Sequence, residues 1–348
     1  MQITKAKQSR IKTVNFSNLP FGTVFSDHMF ICKFNEGKWN DPMIIPYGPI
    51  PMNPGSKVLH YGQSIFEGMK AFKNSNNELL LFRKNDNFKR LNKSAIRLSI
   101  PQIPEDLFMD GLVKLLSLDS DWCKNDDGYS LYIRPFVYAS EDGVKASSAK
   151  EFTFIIITSP STKYYSGEIN LLVEENYARA SKGGVGFAKA AGNYAASFYP
   201  TRQANLRGFQ QVVWTDAVDH KYIEECGTMN IWFRIGDKLI TPSLSDSILD
   251  GITRKSIITL AKDMGIIVEE KKILMSELIE AYRLNDLKEV FGSGTAVAIS
   301  PISSITFRDQ KMNFNNSNDD FSILLKEKLQ KIQKGEAKDI HGWITKIS

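Results

Sequence analysis

Lys189 sits in Phe187-Ala-Lys-Ala-Ala-Gly-Asn-Tyr194, an apolar, glycine-containing turn with no carboxylate in the stretch. A lysine among alanines holds little water. Desolvation lowers an ammonium pKa, and the neutral amine is the form that attacks an aldehyde to give a Schiff base. Tyr194 offers a phenol nearby in the chain, and Glu225 opens Glu225-Cys-Gly-Thr-Met-Asn230, a carboxylate in a second apolar, glycine-bearing stretch, with Glu224 as its neighbour and competitor. A lone loop lysine is ordinarily a solvated surface charge. Here an amine, a phenol and a carboxylate occur together, and these are the groups that pyridoxal phosphate takes from a protein. The carboxylate keeps the ring nitrogen protonated so that the ring accepts electrons.

Two glycine turns suit a phosphate. Asp250-Gly-Ile-Thr253 stands where a helix begins, so the amides of Ile252 and Thr253 point outward, unpaired, at the positive end of the dipole. Phe291-Gly-Ser-Gly-Thr-Ala296 allows close backbone approach, and Thr295 adds a hydroxyl and an amide; a plain tight hairpin is the competing reading. Arg90, on a basic helix face with Lys89, Lys93 and Arg97, has the fork to close such a cup, although a solvated charged face is the usual explanation. Lys182-Gly-Gly-Val-Gly186 lacks the ending of a Walker loop and reads as a flexible lead-in to Lys189. Tyr132-Ile-Arg134 alternates on a strand, which puts Tyr132 and Arg134 on one face, fit for an apolar side chain or a second carboxylate. Phe21, Tyr61 and Phe66 lie in aromatic-rich segments that wall a pocket or pack a core.

These groups need elements to hold them, and 348 residues exceed a typical single core, so two domains are expected. Residues 1–160 read as a small α+β domain, 161–168 as a turn-rich connector, and 169–348 as a larger domain. Strands are expected at 29–34, 79–82, 129–138 and 151–158, then at 169–174 and 211–215. Helical periodicity covers 86–98 through Phe88, Leu91, Ala95 and Leu98, and 104–118 through Leu107, Phe108, Leu112, Leu115 and Leu116. Further helices are expected at 192–206, at 252–264 before Gly265, and at 321–332 with Asp319 or Asp320 as cap and Gly335 beyond. Asn313 to Asp320 reads as a polar loop.

The 44 basic and 39 acidic side chains are scattered rather than striped, which argues against nucleic acid and suits small anionic ligands. Cys32, Cys123 and Cys226 are odd in number and far apart, and the four histidines show no metal spacing, so neither a disulfide framework nor a metal site is expected, and the compartment reads as reducing. No apolar run reaches membrane-spanning length. The basic opening Met-Gln-Ile-Thr-Lys-Ala-Lys-Gln-Ser-Arg10 lacks the apolar region of a secretory signal and reads as a frayed cytoplasmic terminus.

The ordered motifs together resemble the branched-chain amino acid aminotransferases of the class IV, fold-type IV pyridoxal phosphate enzymes. The resemblance is carried by 21–29, Leu59-His-Tyr-Gly-Gln-Ser-Ile-Phe-Glu-Gly-Met-Lys-Ala-Phe72, 131–135, 182–194, 225–230, 249–254 and 292–296. It implies a small α+β domain and a larger barrel-like one. It implies that Lys189 carries the cofactor as an internal aldimine, Glu225 meets the pyridine nitrogen and Tyr194 the phenolic oxygen. Phosphate contacts then fall to Arg90, Ile252, Thr253 and Thr295, with Arg179 near the cofactor and Thr228 near the substrate. The substrate carboxylate is expected at the backbone of Thr295 and Ala296 and at the Tyr61 hydroxyl, and its apolar side chain among Phe21, Phe66 and Tyr132. Arg134 would take the distal carboxylate of glutamate, and Val144 would reach a neighbouring subunit's pocket, implying a homodimer. Positions that hold a redox C-x-x-C in some relatives are Val297 and Ser300 here, so no thiol switch is expected. The implied reaction is ping-pong transfer from leucine, isoleucine or valine to 2-oxoglutarate. The rivals are a D-amino acid aminotransferase or aminodeoxychorismate lyase of the same fold, and a non-enzymatic anion-binding protein.

Overall fold

The structure is a computed structural model that describes residues 1–162, 167–315, 317 and 320–347. The chain forms two compact units: Met1–Tyr164 with Ala188–Ala191 and Lys331–Ser348, and Tyr165–Phe187 with Gly192–Gln330. Two stretches placed after the connector by sequence, 188–191 and 331–348, thus group with the first unit. Residues 163–166 of the expected connector lie outside the described residues.

The first unit is built on a nine-stranded sheet whose central pair is Phe152–Ser161 and Ser130–Ala139. They pair antiparallel from Ser130↔Ser161 to Ala139↔Phe152. Helices α1 (Lys57–Tyr61), α2 (Lys84–Arg97) and α3 (Glu105–Leu118) belong to this unit. The apolar stripes expected of α2 and α3 are inside: Leu91, Ala95, Phe108, Leu112, Leu115 and Leu116 are fully buried in one cluster with Phe30, Leu81, Phe154 and Ile156. Each of the leucine, isoleucine and phenylalanine side chains contributes roughly 1.5–3 kcal/mol by leaving water. Glycine stands at 111 inside α3 because Phe30 lies against it: a Cβ there would stand 2.7 Å from the ring.

The N-terminal residues are not frayed, as the sequence suggested. Gln2–Ile3 pairs in parallel with Met43 and Ile44, the Ala6 amide donates to His28 Nε2 at 2.8 Å, and the Arg10 amide donates to Asp27. His28 Nδ1 in turn lies 2.6 Å from Asp119. The local sequence is polar, so the anchor comes from residues 27, 28 and 119, beyond the reach of a window reading.

The second unit carries an eleven-stranded sheet. Strand Met229–Ile235 organises it: Leu287–Gly294 runs along one edge, from Asn230↔Ser293 to Ile235↔Leu287. The opposite edge is shared by Tyr222–Cys226 at Asn230 and by Lys238–Pro242 at Phe233. One strand serving two partners on one edge lets the sheet branch. Helices α4 (Ala191–Leu206), α5 (Ile252–Asp263) and α7 (Phe321–Gln333) stand where expected, and α6 (Met275–Arg283) is a further helix that the sequence reading did not place. Asp320 directly precedes α7 as expected, its carbonyl accepting from the Ile323 and Leu324 amides, but its side chain accepts from the Ser317 amide rather than from the helix start. Asp319 lies outside the described residues, and the Phe321 and Ser322 amides donate to Glu289, at 2.7 and 3.2 Å. Glu289 reaches them from strand Leu287–Gly294, and burial pushes its carboxyl up despite those bonds.

Candidate active site

In the first unit, Lys189 is held by its backbone. Its amide donates to Ser94 Oγ of α2 at 2.9 Å, its carbonyl accepts from the Phe66 amide at 3.1 Å, and Ala190 bridges to Ile65. Ala188 and Ala190 are buried on either side, and Nζ lies 4.9 Å from the centre of the Phe66 ring.

The stretch around Lys189 lacks a carboxylate, but the fold supplies one. Glu67, next to Phe66, is fully buried and receives Arg90 through both oxygens, Nε to Oε1 at 2.7 Å and Nη2 to Oε2 at 2.8 Å. Asn87 adds a third bond at 2.8 Å. Burial alone would raise this carboxyl. The Arg90 guanidinium, the Lys189 ammonium and the Asn87 amide outweigh burial and hold it below the usual carboxylate range. Arg90 therefore does not lie on a solvated basic face, as helix periodicity suggested. Asn87, Arg90, Leu91 and Ser94 recur three and four residues apart on the buried side of α2, so polar and apolar positions share that stripe. Sequence reasoning missed Glu67 because it follows apolar Ile65-Phe66 and reads as part of a motif. The available signal was the polar triplet Asn87, Arg90 and Ser94 at helical spacing.

A depressed carboxylate contributes stability above its unfolded pKa of about 4.3, and loses it as pH falls through the folded value. Glu67→Gln should therefore be less stable than wild type at neutral pH, by about 3–5 kcal/mol for a broken buried pair. That gap should shrink in acid, where the wild-type carboxyl takes up its proton. Urea unfolding from about pH 7 to pH 3 checks this: a gap independent of pH would contradict an ionised Glu67.

The same unit brings together the residues expected to take the substrate's side chain. Phe21 meets Tyr132 edge-on at 4.9 Å, Arg134 lies 4.5 Å over Phe66, and its Nη2 donates to the Tyr132 hydroxyl at 2.9 Å. Arg134 Nε is buried without a partner. Tyr61, half-exposed, gives its hydroxyl proton to the Val144 carbonyl, and Val144 itself is 68% exposed. A carboxylate only accepts, so Tyr61 must release that bond to meet one.

In the second unit, Tyr194 and Glu225 line one recess with Arg179, Asn193, Ser197, Gly227, Thr228 and Leu249. Glu225, 2% exposed, is fixed on both oxygens: Arg179 Nε at 2.8 Å on Oε2 and the Leu249 amide at 2.7 Å on Oε1. Arg179 is itself oriented by the carbonyls of Ser247 and Gly186. Glu224 bonds Ser247 Oγ instead, and burial pushes its carboxyl up. The glycines at 183–186 are not a loose lead-in. Gly183 donates to Asp246 at 3.1 Å, and a Cβ at Gly186 would stand 2.6 Å from Ser247. The sequence window hides this because residues 246 and 247 supply the contact.

Ile252 opens α5, and its N-cap Gly251 makes no side-chain capping bond, so the first-turn amides lack a side-chain acceptor. Gly251 is obligatory, since a Cβ there would collide with the Asn230 amide oxygen. Asn230 Nδ2 bonds the Leu249 carbonyl at 2.9 Å and Glu225 at 3.4 Å, which ties the carboxylate to the turn that starts α5. Thr295 lies in the turn between Leu287–Gly294 and Ala298–Pro301, which pair antiparallel: the motif is a hairpin, and α5 packs against its first strand.

Residues 64–305 match the amino-transferase class IV family. The chain is 47% identical over 335 residues to a probable branched-chain-amino-acid aminotransferase of Staphylococcus aureus strain N315, covering 94% of this chain and 93% of that protein. The chain belongs to the class IV aminotransferases. The branched-chain aminotransferase of Thermoproteus uzoniensis, solved with norvaline, shares its fold at a TM-score of 0.77 and 26% identity, covering 92% of this chain and 100% of that one. The enzyme from Thermobaculum terrenum, solved in its pyridoxal phosphate form, matches at 0.76 and 20% identity, covering 92% and 98%.

The residues present fit the cofactor a class IV aminotransferase uses. The family's fold-type IV architecture also fits two units that each combine a sheet with helices, although the first unit, expected to be the smaller, is the longer in sequence. A carboxylate held by Arg179 and an amide stays poised for a ring nitrogen, and Tyr194 shares its recess. An uncapped helix start offers amides to a phosphate.

Proposed function

We propose that this class IV aminotransferase exchanges the amino group of leucine, isoleucine or valine with 2-oxoglutarate, giving the branched 2-oxo acid and glutamate, with pyridoxal phosphate as cofactor. The observation that carries the substrate reading is Arg134 over Phe66 and against Tyr132, with Phe21 edge-on to Tyr132. Aromatic walls take a branched side chain, and one guanidinium among them takes the distal carboxylate of glutamate. The Staphylococcus aureus relative supports the same choice.

When bound, pyridoxal phosphate supplies the electron sink at the substrate's α-carbon. The chain's own groups do the rest. Lys189 Nζ moves the α-proton, a positioned acid–base role that contributes roughly 10²–10⁴-fold. Glu225 keeps a ring nitrogen protonated, with Arg179 holding the carboxylate charged and oriented. Tyr194 donates to the phenolic oxygen. The amides of Ile252 and Thr253, Thr295 and the fork of Arg90 are the phosphate donors, and Glu67 presents Arg90. The backbone of Thr295 and Ala296, with Tyr61 and Thr228, receives the substrate's α-carboxylate end.

Val144 is proposed to reach the pocket of a second copy in a homodimer. A cytoplasmic setting is supported by the three buried, unpaired thiols. No helix among the described residues is long and apolar enough to cross a membrane. Glutamate formation from 2-oxoglutarate with L-leucine, but not with D-alanine, tests the reading. Turnover of D-alanine with none of L-leucine would replace it with the D-amino acid activity.

A further inference from the structure

We infer that Lys57 is a positioning residue, whose buried ammonium pins the 141–150 loop and so sets Val144 in place for the substrate's side chain. The inference rests on the reading of Val144 as a substrate contact.

Lys57 opens α1, and its side chain is 3% exposed. Nζ makes three contacts, all to this loop: Glu141 Oε1 at 2.8 Å, Ser147 Oγ at 3.0 Å and the Ser148 carbonyl at 3.5 Å. An ammonium has three donors, so the loop takes the whole complement. Glu141 also accepts from the Lys150 amide, and one carboxylate thus closes both ends of the loop on one cation. The Lys57 bond and the Lys150 amide hold the Glu141 carboxyl below the usual range.

The backbone repeats the attachment on one side only. The Lys57 amide donates to the Glu141 carbonyl at 3.0 Å, and Gly143 donates to the Gly55 carbonyl at 2.9 Å. Across the loop, the Ala149 amide donates to Gln63 Oε1 at 3.1 Å. Between these anchors the chain from 144 to 148 is exposed, and the Val144 carbonyl accepts from the Tyr61 hydroxyl. Substrate binding that recruits Tyr61 removes that bond, after which the tip is held through its flanks, by Lys57 on Glu141, Ser147 and Ser148, by the Gly143 amide on Gly55, and by Gln63 and Ser99 on the Ser148 hydroxyl at 3.2 and 3.3 Å. Burying an ammonium is costly unless every donor is satisfied, and an apolar residue would fill the same space without that cost. Holding a polar loop is the gain that a methionine cannot supply.

The test compares wild type, Lys57→Met and Glu141→Gln as cofactor-loaded protein. Glu141 is partly exposed, so its variant keeps the buried side of the fold intact. Tryptic cleavage after Lys145 should quicken in both. KM for L-leucine should rise roughly tenfold, the size of one lost charge-assisted bond, with kcat within about threefold. Affinity for pyridoxal phosphate should stay at the wild-type value, and Lys57→Arg should restore part of the KM. Cleavage at the wild-type rate in both variants would overturn the pin. Faster cleavage with unchanged KM, together with unchanged KM in Val144→Gly, would overturn the substrate role of Val144 instead.

Discussion

Lys189→Ala should lower the rate of amino-group transfer by at least about 10³-fold, because it removes the amine proposed to carry the cofactor and move the α-proton. The fold should survive. What anchors this segment is backbone: the amide to Ser94, the carbonyl to Phe66 and the Ala190 bridge to Ile65. Truncation leaves a space beside the Phe66 ring and relieves Glu67 of one cation while Arg90 remains. A single-turnover measurement with L-leucine reads the chemistry apart from product release, and added methylamine should restore a fraction of the rate. Near-normal turnover in the variant would remove Lys189 from the mechanism.

Glu225→Gln is the second large effect. The amide keeps the size of the carboxylate and an oxygen for the Leu249 amide, but it has no charge for Arg179, 2.8 Å away. Both are buried, so the variant leaves an unbalanced guanidinium at a cost of about 3–5 kcal/mol. On the proposed role of Glu225, it also removes the charge that keeps a ring nitrogen protonated. The rate of the leucine half-reaction should fall by roughly 10²–10³, as for loss of one preorganised electrostatic partner. Pairing Glu225→Gln with Arg179→Gln should recover stability without recovering rate, since it removes the stranded charge but not the chemical defect. Recovery of rate in the double variant would mean that Glu225 serves only to neutralise Arg179.

Local pattern carried much of the architecture into view. Helices α2, α3, α5 and α7 fall within two residues of their expected ends because each shows an apolar stripe at helical spacing. Strands Ser130–Ala139 and Phe152–Ser161 stood out as β-branched and aromatic runs. Lys38–Pro46 and Tyr222–Cys226 did not: the first carries Asn40, Asp41 and Pro42, the second two adjacent glutamates, and neither alternates cleanly. Tertiary pairing makes them strands.

The same division runs through the site. Lys189, Tyr194 and Glu225 were legible because each is a reactive type in an apolar setting. Glu67, Asn230 and Glu289 were not, since their roles depend on partners far away in sequence. Glu67 answers Arg90 across 23 residues, and Glu289 caps α7 across more than 30. The N-terminal anchor on Asp27 and His28 was hidden for the same reason. Chemistry could be read from residue type, but the groups that orient it are set by topology.

The most direct test of the central claim is the visible absorbance of the purified, pyridoxal phosphate-loaded protein, recorded before and after L-leucine is added without any oxo acid. The visible band should be lost with L-leucine and return when 2-oxoglutarate follows. A band that persists with L-leucine and disappears with D-alanine would contradict the branched-chain assignment while leaving the family intact.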